Sequence, residues 1–202
     1  MIRSCSHVTA GLAAIAAMTF LLSAPGCERA EKPAGPQGQQ EQPKASETAM
    51  NITSKAFADG QPMPRQYTGF GRDISPPLAW SNLPEGTKEL ALIVNDPDSS
   101  GPRPWVHWVI YNMPPTPAEL PEGLSARGIK GEARGMTEGV NSWGNVGYQG
   151  PTPPSGTHRY RFRLIALDAK MELAPGLTDE ALLRAVADHI VGEATLTGTC
   201  KK

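Results

Sequence analysis

Asp96 and Asp98 in an Asp-Pro-Asp turn, His107 inside an apolar run, and His158 two residues before Tyr160 are the positions whose types could do chemistry. Imidazoles can donate to phosphate oxygens, and a neighbouring carboxylate raises their affinity for the proton that makes them better donors. A phenol adds a further donor. The same residues allow other readings. Asp-Pro-Asp is good turn material, a lone strand histidine is commonly a satisfied core residue, and His158 could be a surface strand residue. Two histidines with one or two aspartates could also hold a zinc ion or act as acid and base on a phosphoester. His189 falls near a helix C-terminus, where the dipole favours a cation, and reads as structural.

Familiar catalytic signatures are missing from the sequence: it has no GxSxG, no GxxxxGK[ST], no HExxH and no CxxC. The 19 basic and 20 acidic residues give a formal net charge of -1 and are spread along the chain, so no basic stripe is available to a phosphate backbone. Nucleic acid is thereby excluded as a partner. The length of 202 residues suits one domain, and 21 Gly with 20 Pro favour strands and turns over long helices.

These residues need elements to hold them. Asn51 to Phe57 alternates roughly as a half-buried strand does, and Glu89 to Asn95 and Trp105 to Asn112 are β-branched and aromatic runs expected as central strands. His158 to Leu167 alternates Arg159, Arg161 and Arg163 with Tyr160, Phe162 and Leu164, which predicts basic residues on one face and apolar ones on the other. Between them, Gly139 to Gly156 carries Trp143 and Tyr148 in a Gly/Pro/Asn/Ser background and reads as an ordered loop or ligand wall. One helix is expected, with Thr178 as N-cap, Asp179 and Glu180 in its first turn, and Gly192 just past its end. Its apolar stripe would be Leu182, Leu183, Val186, Ile190 and Val191, and a last strand would run from Glu193 to Thr199. Many strands, one helix and a strand argue against an alternating βα sheet.

Ahead of this domain, residues 1–26 read as an export signal: Arg3 is the positive end and Ala10 to Leu22 an apolar run too short to span a bilayer. Leu22-Ser23-Ala24-Pro25-Gly26-Cys27 resembles a lipobox, with Ala24 and Pro25 where Leu and a small residue are usual, so Cys27 is the expected lipidation site. The alternative is an ordinary signal with an incidental cysteine. Cys5 would leave with the signal, leaving Cys200 without an intrachain partner; an unmodified Cys27 could instead pair with it. Residues 27–50 lack any aromatic residue and cannot bury enough surface to fold, so they read as a disordered tether with a reach of roughly 25 Å. The folded domain is 51–202.

Four blocks in order give the domain a resemblance to a known family: Asp73-Ile74-Ser75-Pro76-Pro77-Leu78-Ala79-Trp80, Asp96-Pro97-Asp98, His107-Trp108-Val109-Ile110-Tyr111-Asn112, and Gly147-Tyr148-Gln149-Gly150-Pro151-Thr152-Pro153-Pro154 with Gly156-Thr157-His158-Arg159-Tyr160. Over Asn51 to Lys202 the chain resembles the phosphatidylethanolamine-binding (PEBP) family, in its bacterial Raf-kinase-inhibitor-like branch. The resemblance implies a mostly β fold, a β-sandwich of a large central sheet and a smaller one with one C-terminal helix. It also implies an anion pocket of Asp96, His107, His158 and Tyr160, completed by a backbone amide near Thr152, with no metal and no cofactor; Asp98, in the same turn as Asp96, is expected among the ligand-binding residues as well. Ser99-Ser100-Gly101 departs from the small residue and proline usual after Asp-Pro-Asp, which predicts a looser rim. Cys200 stands where many relatives carry an aromatic residue.

The expected function is that of an exported, membrane-anchored lipoprotein that binds an anionic or phosphorylated head group without catalysis. Alternatives are a kinase- or protease-inhibitor-like interaction module and, less favoured, a metal-dependent phosphoester hydrolase. The partners implied are an anionic head group or phosphorylated small molecule and, through the lipid anchor, the membrane; a protein target and a homodimer are left open.

Overall fold

The computed structural model describes residues 49–125 and 135–202, so the expected signal, Cys27 and nearly all of the tether lie outside the described residues. Strands β1 (Asn51–Thr53), β2 (Leu78–Ser81), β3 (Glu89–Asp96), β4 (Trp105–Met113), β5 (Glu119–Leu120), β6 (Thr137–Glu138), β7 (Thr157–Leu167) and β8 (Ile190–Lys201) are joined by one α-helix, α1 (Asp179–Val186). They form two antiparallel sheets, a large one in the order β6-β4-β3-β7-β8 and a small one in the order β1-β2-β5. The β-sandwich, with a single C-terminal α-helix among the described residues, is as the resemblance implied. Among the described residues no helix is long and apolar enough to cross a membrane.

Each face of the large sheet is covered, which is why β3 and β4 read as unbroken apolar runs. One face packs Leu92, Val94, Trp108, Phe162, Leu164 and Leu196 against Ile52, Leu78, Trp80 and Leu120 of the small sheet. The other presents Ala91, Ile93, Val109, Tyr111 and Ile165 to Leu182 and Val186 of α1. Full burial of a side chain such as Leu182 stabilises by about 1.5–3 kcal/mol, enough to hold a two-turn helix that would not persist alone. Thr178 caps it as expected, its Oγ1 accepting from the Ala181 amide at 3.3 Å.

The helix is shorter than its apolar stripe predicted. It stops at Val186, Ala187–His189 forms a 3-10 turn, and Ile190, Val191 and Gly192 belong to β8. The ladder with β7 wins these residues: Ile190 pairs with Leu167 and Gly192 with Ala166, across a bulge, and β-branched Ile190 and Val191 suit a strand. His189 faces Asp168 at 2.9 Å in an exposed pair, and the Asp168 amide donates to the His189 carbonyl, closing the turn. At its other end β8 carries Cys200, free and buried, its thiol pushed up by that burial.

Candidate functional site

A register irregularity aims the first site residue. Val94 opposes Trp108 while Asn95 opposes Val106, so His107 is the extra residue of a bulge in β4. The bulge changes the phase of the strand. Val106 packs on the helix side and Trp108 on the small-sheet side, although simple alternation would put both on one face. His107 is thereby turned to the end of the large sheet, where β3 delivers Asp96 and β7 delivers His158 and Tyr160 two residues apart on one face.

The Gly/Pro loop then closes over this corner. The Gln149 amide donates to the His107 carbonyl at 3.0 Å, and His107 Nδ1–H donates to the Gln149 carbonyl at 2.6 Å. The imidazole stands edge-on between Trp143 (5.0 Å between centroids) and Tyr160 (5.1 Å). Asn141 shapes the loop by accepting from the Trp143 and Asn145 amides and donating to the Gly147 carbonyl. Further on, the Gly150 amide donates to Asp73 Oδ1 at 2.5 Å and the Gly69 amide to the Pro151 carbonyl at 3.0 Å. The Asp73 block therefore anchors the loop that carries Thr152, a positioning role outside the cleft itself.

The result is a cleft of about 470 Å³ whose walls include all six residues expected from sequence: Asp96, Asp98, His107, Thr152, His158 and Tyr160. Trp105, Trp143, Pro153 and Pro154 add apolar wall, and Ser99, Ser100 and Ser155 add hydroxyls. Trp143, named in the sequence only as part of the loop, touches both His107 and Trp105 edge-on. The rim after Asp-Pro-Asp is tied, contrary to the looser rim expected: Ser99 Oγ donates to the Asp96 carbonyl and accepts from the Trp105 amide, each at 3.1 Å. Arg103 pairs with Glu180 of α1 outside it.

Both carboxylates in the cleft are spent on protein donors. Asp96 Oδ1 accepts from the Asp98 amide at 2.8 Å and Oδ2 from His158 Nδ1 at 2.7 Å. Asp98 takes the Arg159 guanidinium on both oxygens, at 2.6 and 2.9 Å, and the Arg159 amide at 2.8 Å. The Arg159 hydrogen bonds hold the Asp98 carboxyl down to about 2, against the opposing pull of burial. Burial, with the Asp96 carboxylate beside it, pushes the Tyr160 phenol up, so it stays a donor.

Burial also holds the His107 imidazole down to about 4, overcoming the upward pull of the Gln149 carbonyl and Asp96. At this imidazole desolvation in an aromatic slot outweighs the neighbouring carboxylate, against the expectation that the carboxylate would raise its affinity for a proton. Among the described residues no group of three or more His, Cys, Asp or Glu is gathered to hold a metal ion.

The family model for the phosphatidylethanolamine-binding proteins matches residues 53–201. A UPF0098 protein of Methanothermobacter thermautotrophicus is 44% identical over 153 residues, covering 76% of this chain and 99% of that one. A Mycobacterium tuberculosis protein bearing the lipoprotein name LppC is 36% identical over 196 residues, covering 95% of this chain and 93% of its own. Among solved structures, the phosphatidylethanolamine-binding protein homolog CT736 of Chlamydia trachomatis superposes with a TM-score of 0.70 at 40% identity, over 77% of this chain and 99% of that one. Escherichia coli YbcL, at 28% identity, also gives 0.70, covering 76% of this chain and 98% of its own.

Proposed function

This chain belongs to the phosphatidylethanolamine-binding protein family, and on that footing we propose that it is an exported lipoprotein whose domain binds an anionic, phosphorylated head group in the cleft without transforming it. The observation that carries the reading is the neutralisation of the carboxylates. A cleft containing Asp96 and Asp98 would repel an anion, but every carboxylate oxygen faces a protein donor, and the Arg159 guanidinium offsets Asp98. His158 is held by its Nδ1, which leaves Nε2 as its free nitrogen for a ligand, and the Tyr160 phenol stands beside it. The apolar walls of Trp105, Trp143 and Pro153-Pro154 lower the local dielectric and strengthen charged hydrogen bonds.

Export and anchoring rest on Cys27 and on the LppC relative, whose alignment covers too much of this chain to omit the segment ahead of the domain.

Native mass spectrometry of the purified protein, followed by calorimetry with glycerol 3-phosphate, tests the reading. A co-purified phosphorylated ligand is expected, and His158→Ala should cost about 1.5–3 kcal/mol of binding, as for a charge-assisted hydrogen bond. Unchanged affinity in His158→Ala places the ligand elsewhere. Release of inorganic phosphate during incubation, followed by 31P NMR, overturns the non-catalytic part.

A further inference from the structure

The Gln149 carbonyl settles a question of proton placement that bears on what the cleft can hold. A carbonyl oxygen only accepts, so at 2.6 Å it requires the hydrogen of His107 to be on Nδ1. The return bond from the Gln149 amide to the His107 carbonyl fixes the two residues together, and Trp143 and Tyr160 hold the ring on either side. A neutral imidazole carries one N–H. Nε2, the remaining polar atom of a ring that lines the cleft, is then a bare lone pair.

Resting on the anion-site reading above, we infer that His107 selects the ligand's protonation state: it accepts a hydrogen bond from a ligand O–H, so the cleft takes a phosphomonoester as its monoanion and discriminates against an isosteric anion that has no such hydrogen. The rest of the corner offers the opposite polarity. His158 and Tyr160 from β7 face the same space, Asp96 from β3 is turned to His158, and Asp98 is held by Arg159. One oxygen of the ligand meets donors while another meets an acceptor.

The proton affinities agree. An imidazole held down to about 4 competes poorly with a phosphate monoester whose second ionisation is near 6, so the shared proton remains on the phosphate. A fully ionised oxygen against the Nε2 lone pair would leave two acceptors facing each other in a desolvated slot.

Methyl phosphate and methyl sulfate separate the cases. At about pH 5.5 both carry close to one negative charge and have nearly the same shape, but only the phosphate has an O–H. Calorimetry should show methyl phosphate bound about tenfold more tightly or better, a difference of about 1.4 kcal/mol per tenfold. The His107 Nε2 nitrogen should shift in 15N NMR as an acceptor that remains unprotonated. The preference should shrink as pH rises through about 6 and methyl phosphate loses its hydrogen. His107→Gln, whose amide offers either polarity, should bring the two affinities together.

Equal binding of the two esters by the wild-type protein overturns the selection by His107 while leaving the anion site standing. Binding of neither removes the site and this inference with it. The wild-type comparison decides the matter even if His107→Gln does not fold.

Discussion

Asp98 and Arg159 show how a residue can line a cleft and yet serve the frame. Asp98 accepts three hydrogen bonds from one arginine, which hold its carboxyl down to about 2 against about 3.9 for an unfolded aspartate. A folded value below the unfolded one means the contribution is present above the unfolded value and is lost as pH falls through the folded one. Asp98→Asn should therefore lower the urea midpoint at pH 6, and its gap from wild type should close as pH falls towards 2. Because the Arg159 side chain is largely exposed, added salt should also narrow the gap. A gap that persists at pH 2 would show that Asp98 contributes through packing instead. Asp96, Asp98, His107, His158 and Tyr160 stood out as polar residues at a turn, inside an apolar run or at the start of a strand, but only the family resemblance gathered them into one pocket, and Thr152 came from that resemblance alone. Trp143, Gln149 and Asp73 were visible as residues, but their roles were not. Gln149 acts through its backbone carbonyl, which no side-chain pattern reports, and Asp73 acts on an amide 77 positions away.

At the scale of elements, the site depends on two departures from regular structure, the bulge at His107 and the close approach of the 149–152 loop to the segment around Gly69. Gly150 lies within that approach, against backbone. A Cβ there would lie 2.6 Å from the Tyr67 carbonyl oxygen, 2.7 Å from Asp73 Oδ1 and 2.9 Å from the Gly69 nitrogen, two of them backbone atoms that cannot swing aside. Gly150→Ala should cost about 1–3 kcal/mol, as overpacking does, and weaken ligand binding by displacing Thr152 and Pro153. Urea denaturation and calorimetry on the same variant measure the two effects. Wild-type stability with wild-type binding would show that the loop yields easily. The strands themselves were readable because β3, β4 and β7 have sharp apolar or alternating patterns. The end of α1 was not: Ile190 and Val191 continue the helical stripe in sequence, and only the partner strand, with Leu167 opposite Ile190, takes them into β8. The bulge was equally hidden, since Val106-His107-Trp108 reads as ordinary strand until the register with Val94 and Asn95 is known.

For the whole molecule, the two apolar cores of the described residues run from Met50 onward and join both sheets and α1 within that stretch. Anchoring and folding should then separate. Cys27→Ala should move the protein from the detergent phase to the aqueous phase and abolish labelling by fed palmitate, because one covalent lipid signal has been removed. Thermal unfolding should keep the same midpoint, and affinity for glycerol 3-phosphate should be unchanged, since the cleft lies at the end of the large sheet and, among the described residues, is walled by positions between 96 and 160. Limited proteolysis should give the same resistant fragment from both forms, beginning near residue 50. If the wild-type protein partitions into the aqueous phase without label, Cys27 is not an anchor and the export reading reduces to a cleaved signal. If Cys27→Ala remains in the detergent phase, attachment runs through the folded domain, and the exposed Trp105 and Trp143 at the cleft mouth become the first positions to substitute.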